Sequence, residues 1–296
     1  MSAGFDSLFF FEISLAGLGS GGLLALTGLA FVIIYKATRV VNLAIGEMLM
    51  ISAYLFFALA ASMALPIWAA ILGTVIASGA IGALVERTMI RPMLGESPIS
   101  TFMVTVGLSS ILVGIVELVW TADPRRLPEF MPSDPVLLGE AMVAPKVFYG
   151  FLVTAALIGA VLLVFRFWRG GVALRATASD QAAAYSMGIN VPRVFSLAWT
   201  AAAMIAAVAG IVVGAIGGIS STMGVFGLSV LVVVIVGGLD SVVGALVGGL
   251  MVGLVEAWAG AYIGGEFKMI ATFALLIVVL LVRPYGLFGT HEIERL

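Results

Sequence analysis

The chain contains no cysteine. Disulfides, thiolate metal sites and cysteine nucleophiles are excluded. Its one histidine, His291, lies in the C-terminal tail, so a histidine-based metal site or catalytic triad is excluded too. Charge is scarce: 10% of the 296 residues are charged, against about 25% in a soluble domain. Such a chain cannot cover a water-facing surface. It has no basic patch for nucleic acid, the longest basic run being Arg125-Arg126. It also lacks G-x-x-x-x-G-K-[ST], so it has no P-loop for ATP. The first apolar stretch has no basic residues before it but carries Asp6 and Glu12. A cleaved signal peptide is not expected, and this stretch should remain as a helix.

Apolar length takes the place of charge. Hydrophobic residues make up 62% of the chain, and its mean hydropathy is +1.22. A membrane-spanning helix needs roughly 20 apolar residues, so lipid is the natural solvent. The spans read as 13–35, 40–64, 67–89, 99–120, 147–166, 194–217, 224–238, 241–263 and 267–283. The expected fold is an all-α polytopic membrane protein of eight or nine transmembrane helices, with residues 1–296 forming a single transmembrane domain. The seventh span is short and bounded by Gly224, Gly237 and Gly238; it reads as broken or re-entrant.

Basic residues set the orientation. With the 170–192 loop inside, Lys36, Arg39, Arg87, Arg91, Arg166, Arg169, Arg175, Arg193, Arg283 and Arg295 lie inside, and only Arg125, Arg126, Lys146 and Lys268 outside. That bias follows the positive-inside rule. It places the N-terminus outside and the C-terminus in the cytoplasm, and its parity favours nine crossings. Segment 121–146 holds five prolines. It should be an ordered outer loop with one short helix, either a simple connector or a rim for a soluble binding protein.

Glycines recur at four-residue spacing: Gly17/Gly21, Gly210/Gly214/Gly218, Gly244/Gly248, Gly249/Gly253 and Gly260/Gly264. Such stripes let helix backbones approach closely in lipid. Gly17, Gly19 and Gly22 also fit G-x-G-x-x-G, but inside an apolar helix, where the dinucleotide-binding context of strand and helix is missing.

Charged groups within spans are costly, by about 2.5–3.5 kcal/mol on insertion scales. Asn42, Gly46 and Glu47 can share a helix face, Gly46 leaving room for a substrate or a neighbouring helix. The alternative is that Glu47 pairs near the interface with Arg39 or Lys36. Glu256 is the most deeply placed acid; it should face the bundle or a subunit interface, bonded to Ser, Thr or backbone groups. These four residues are the candidates for a translocation path. Asp240 reads as a helix N-cap, accepting from the amides of Val242 or Val243.

The polar segment GGVALRATASDQAAAYSMGINVP, residues 170–192, reads as a short helix, a Gly and a second short segment ending at Pro192. A compact, weakly charged loop of this kind is suited to serve as a handle for a soluble partner.

Five stretches, taken together, carry a resemblance: RVVNLAIGEMLMISAY (39–54), VERTMIRPMLGESPIS (85–100), ALRATASDQAAAYSMGINVPRV (173–194), VVVIVGGLDSVVGALVGG (232–249) and LLVRPYGLFG (280–289). They resemble the membrane-spanning permease subunits of branched-chain amino-acid ABC importers over nearly the whole chain. The resemblance implies a second homologous permease subunit, two cytoplasmic ATPase subunits and an extracytoplasmic binding protein in a bacterial-type inner membrane. It implies no cofactor on this chain, with ATP used by the partners. Ala182, Ala183, Ala184 and Gly188 fit the small-residue core and following Gly of the ATPase-docking loop, although the usual leading Glu falls at Ala182. The family often carries His in the segment matched by 42–47, where Ile45 stands here; ligand choice shifts if that position faces the path. The wider family also handles urea, short amides and organic acids. An ion-coupled secondary transporter is the competing reading, and the sequence shows no nucleophile–base pair for an intramembrane enzyme.

Overall fold

The computed structural model describes residues 7–290. Asp6, His291 and Arg295 lie outside the described residues. The chain runs as α1 (Ser7–Thr38), α2 (Ile45–Phe57, continued by a π turn at Ala58–Ser62), α3 (Ile67–Val85), α4 (Pro98–Trp120), strands β1 (Val136–Leu138) and β2 (Ala141–Val143), α5 (Pro145–Phe167), α6 (Arg169–Ser179), α7 (Gln181–Ser186), α8 (Val191–Gly217), α9 (Phe226–Gly237), α10 (Val242–Tyr262) and α11 (Lys268–Val282). It is all-α apart from one small hairpin. Among the described residues, eight helices are long and apolar enough to cross a membrane.

Helix α1 is the axis. Every residue from 21 to 34 is buried, as expected of a helix that is apolar all round. It packs on α5, α8, α9 and α10. Glycines set the distances. A Cβ at Gly17 would lie 2.8 Å from Ala257 Cβ, and one at Gly21 2.9 Å from the Gly249 carbonyl oxygen. Helix α10 carries two glycine stripes: Gly249 and Gly253 face α1, whereas Gly244 and Gly248 face α9. Gly244 and Gly249 are five residues apart, about 140° around the helix, so α10 meets two neighbours closely at once. Gly19 and Gly22 pack on Val147 and Phe151 of α5, which accounts for the G-x-G-x-x-G pattern by helix packing. Gly218 and Gly264 do not extend the stripes; they lie beyond the ends of α8 and α10 with φ of +83° and +137°.

The seventh expected span is the broken one. A 3₁₀ turn at Ser221–Val225 leads into α9, whose 12 residues rise about 18 Å, short of the roughly 30 Å hydrocarbon core. The segment before it begins at the Arg125–Ile219 bridge. Its far end meets the C-terminal segment, where Leu287 N–H donates to Val236 O. Among the described residues, this shorter apolar segment thus lies alongside the eight long helices.

Three local expectations are corrected. Segment 121–146 holds no helix of its own before α5 begins at Pro145; it forms the β1–β2 hairpin, turning at Gly139 (φ +70°), and is held where the Met142 amide donates to Glu12 Oε1 at 2.7 Å. Asp240 is not the N-cap of α10. Ser241 is, its hydroxyl accepting from the Gly244 amide at 3.0 Å. Asp240 instead accepts from the amide and hydroxyl of Thr290. Finally, the helix expected from residue 40 begins only at Ile45, after an irregular stretch that ends in a turn.

Candidate functional site

That irregular stretch interrupts the helical pattern before α2. Thr105 lies seven residues inside α4, about 10 Å from its start at 1.5 Å per residue. Its hydroxyl accepts from the Leu43 amide at 3.3 Å, and its one proton faces Phe102 O of its own helix at 2.8 Å and Val41 O at 3.2 Å. Residues 41–43 are thus drawn into the bundle, where irregular backbone is tolerated only if protein encloses it. Asn42 is fully buried. It does not share a helix face with Gly46 and Glu47, because it precedes α2. Its Oδ1 accepts from the Ala44 amide at 3.1 Å and its Nδ2 donates to Met48 Sδ at 3.4 Å, fixing the approach to the helix.

The beginning of α2 meets the beginning of α9. Gly46 lies against the backbone of Gly224 and Gly227, and a Cβ at Gly224 would lie 2.7 Å from Glu47 Oε1. The room at Gly46 is therefore taken by a neighbouring backbone. Ser109 of α4 also faces the Glu47 carboxylate. Glu47 Oε2 is buried and makes no hydrogen bond. Among the described residues, no ion pair joins Glu47 to Arg39 or Lys36. Ile45 is buried and packs beside Gly227.

Glu256 bonds as its surroundings require. Its Oε1 accepts from Ser229 Oγ of α9 at 2.8 Å and from Thr272 Oγ1 of α11 at 2.9 Å. One carboxylate thereby ties three helices. Glu256→Leu removes the acceptor of both hydroxyls and is expected to lower stability by about 1–2 kcal/mol. Glu256→Gln keeps a carbonyl acceptor and should stay within about 0.5 kcal/mol. Thermal unfolding in detergent checks both.

The polar segment forms two short helices, not one. Helix α6 packs through Gly171, Leu174 and Thr177. Arg175 anchors it by donating to the carbonyls of Phe165 and Arg166 at the end of α5. Asp180 ends α6 and caps α7, its Oδ1 accepting from the Ala183 amide at 2.9 Å. The other end of α7 is closed by a Schellman motif: Gly188 N–H donates to Tyr185 O and Ile189 N–H to Ala184 O. Gly188 takes φ +84° there, a conformation glycine adopts without penalty. Helix α7 is capped at both ends within six residues. Ala184 is its buried residue, whereas Ala182 and Ala183 face outward. Tyr185 and Met187 are 71% and 83% exposed. Reading the segment as a small-residue motif missed these two; large apolar residues in an otherwise polar loop were the available signal.

Membrane-length helices and glycine-set packing define the class: a polytopic all-α membrane protein. The chain belongs to the branched-chain amino acid transport system / permease component family, whose model matches residues 13–280. It is 30% identical to the high-affinity branched-chain amino acid transport system permease protein LivH of Escherichia coli K12, covering 97% of this chain and 98% of that protein. It is also 30% identical to BraD of Pseudomonas aeruginosa, with coverage of 94% and 95%. The probable branched-chain amino acid transport permease LivH of Methanocaldococcus jannaschii is 26% identical over 93% of this chain and 91% of its own. A solved structure, PsaBC from Streptococcus pneumoniae in complex with Fab, shares the fold with a TM-score of 0.50, 11% identity and 95% coverage of both chains.

Proposed function

We propose that this chain is the permease subunit of an ATP-driven importer for branched-chain or other hydrophobic amino acids. It pairs with a second homologous permease subunit and is driven by two cytoplasmic ATPase subunits, which alone use ATP; an extracytoplasmic binding protein delivers the substrate. The observation that carries this reading is the α6–α7 projection, a stiff, doubly capped hairpin on a bundle of this family. Within the reading, α6–α7 and the C-terminus face the cytoplasm and the N-terminus faces outside, in keeping with the excess of Lys and Arg at the α6–α7 end.

Gly46 and Glu47 border the path in this proposal, at the meeting of the two helix beginnings. Asn42 holds the approach to α2 behind them, and Glu256 ties α9 to its neighbours beside it. Ala182, Ala183, Ala184 and Gly188 shape the docking helix that Tyr185 and Met187 present.

Reconstitution supplies the test. The chain, its homologous partner, the ATPase subunits and the binding protein are placed in liposomes with labelled leucine, isoleucine, valine and urea. Uptake of the amino acids is expected only with ATP and all components present. Uptake by this chain alone, driven by an ion gradient, would overturn the proposal.

A further inference from the structure

The end of α3 departs from α-helical geometry where its charges lie. Residues Glu86–Ile90 form a π turn, and the Arg91 amide donates to the Glu86 carbonyl five residues back. In a regular α-helix, side chains five residues apart diverge by about 140°. The wider turn stacks Arg91 over Glu86 instead. The Arg91 guanidinium then forks onto the carboxylate, Nε to Oε1 at 3.0 Å and Nη2 to Oε2 at 2.8 Å. Glu86 is 0% exposed and Arg91 36%.

Two further bonds leave this pair for another helix. Arg91 Nη2 donates to Ser196 Oγ at 2.8 Å and to Pro192 O at 3.3 Å. Ser196 Oγ donates to Glu86 Oε2 at 2.5 Å. Pro192 and Ser196 belong to the first turns of α8, which starts three residues after Gly188 closes the projecting hairpin. The knot therefore grips the root of α8, where the hairpin joins the bundle.

Packing continues the link. Gly82 of α3 sits so close to α8 that a Cβ would lie 2.6 Å from both the Trp199 carbonyl oxygen and Ala203 Cβ. Further along α8, Gly210 abuts the backbone of Leu49 in α2. A buried ion pair is seldom needed for stability, since apolar or neutral replacements of both partners often fold as well. Local π turns are frequent at functional sites.

We propose that Glu86, Arg91 and Ser196 are positioning residues that lock α3 to the root of α8. Displacement of the α6–α7 hairpin by the ATPase then moves α3 and α8 as one body and shifts α2 with them. This rests on the function proposed above. The knot makes ATP hydrolysis productive without taking part in docking itself.

The test uses the complete reconstituted complex. ATP hydrolysed per amino acid imported is measured for the natural chain, Ser196→Ala, and the double variant Glu86→Gln with Arg91→Gln. The double variant removes both charges together, so no lone buried charge endangers folding. The variants are expected to co-purify with the ATPase and to hydrolyse ATP, while the ratio of ATP spent to substrate moved rises about fivefold or more. Arg91→Lys keeps the charge but loses the fork and should fall between. An unchanged ratio in the variants would overturn the proposal. Loss of ATPase co-purification would overturn it too, because the knot would then serve the shape of the docking hairpin. If the natural complex shows no ATP-driven uptake at all, the functional reading fails first and the knot loses its role with it.

Discussion

The double variant Tyr185→Asp with Met187→Asp is expected to lose its ATPase partner and, with it, ATP-driven uptake. Tyr185 projects from a helix capped at each end and Met187 from the residue that closes it, and each is more than two-thirds exposed. Exposed apolar side chains on a small, stiff, water-facing element are the kind of anchor that fills a pocket on a partner. Truncating one such anchor typically costs about 2 kcal/mol or more. Two together give about 4 kcal/mol, close to a thousandfold in affinity. Charge introduced into an apolar pocket adds a desolvation cost. The isolated chain should scarcely notice, since substitutions at exposed sites stay within about 0.5 kcal/mol. Co-purification from detergent measures the first effect and thermal unfolding of the chain alone the second. A variant that still co-purifies at natural yield would remove α7 from the interface. Asp180→Ala and Gly188→Ala probe the same element differently. Each loosens an end of α7, one by losing a cap worth about 1 kcal/mol and the other by placing a Cβ at φ +84°, which costs about 1–2 kcal/mol. They should weaken docking without abolishing it.

Much of this arrangement was legible in the sequence, because lipid makes hydropathy a strong constraint. Spans such as 99–120 and 241–263 match α4 and α10 to within one residue at each end. Glycine spacing foretold close helix contacts, though not which helices would meet, and the acid at 256 forecast hydroxyl partners. What escaped depends on residues far apart in the chain. Asp240 and Ser241 are adjacent and both fit an N-cap; the choice was settled by Thr290, fifty positions away. Val40 and Val41 read as helix because they are apolar. The structure breaks there, and Thr105, on another helix, bonds the Val41 carbonyl and the Leu43 amide. The hairpin at 136–143 was hidden by the surrounding prolines, which mark irregular chain but not what lies between them. Glu86 and Arg91 look unrelated on an α-helical wheel. Only the π turn aligns them, and Ser196, their third partner, is 110 positions from Glu86. In the 170–192 segment, attention to the small residues passed over Tyr185 and Met187, whose exposure only the fold reveals.

Gly253→Leu is expected to prevent accumulation of folded protein. A Cβ at this position would meet the Cα and amide nitrogen of Gly21 and the carbonyl oxygen of Gly17, all of them backbone atoms. A flexible side chain could rotate aside, but a helix backbone can only move away as a whole. Helix α1 cannot retreat readily, since it is enclosed by α5, α8 and α9 on its other sides. In lipid the extra apolar surface of Leu gains nothing by being buried, so close packing is what the substitution forfeits. Overpacking a tight core by a few methylenes costs about 1–3 kcal/mol, and here the strain spreads along a continuous stripe through Gly17, Gly21 and Gly249. Even Gly253→Ala should lower the unfolding temperature measurably. The contrast is Gly107→Ala in α4, where a Cβ meets nothing within 4 Å. Its better helix propensity, worth about 0.5–1 kcal/mol, should leave the isolated chain as stable or slightly more so. Measuring both stability and assembly separates two causes that sequence alone cannot. A glycine needed for packing within this chain fails in the first measurement. If Gly107→Ala stays stable but no longer assembles with the second permease subunit, its bare face on α4 belongs to the contact between subunits. Retained accumulation of folded Gly253→Leu would show that α1 and α10 can separate, contrary to the close approach on which the bundle is built.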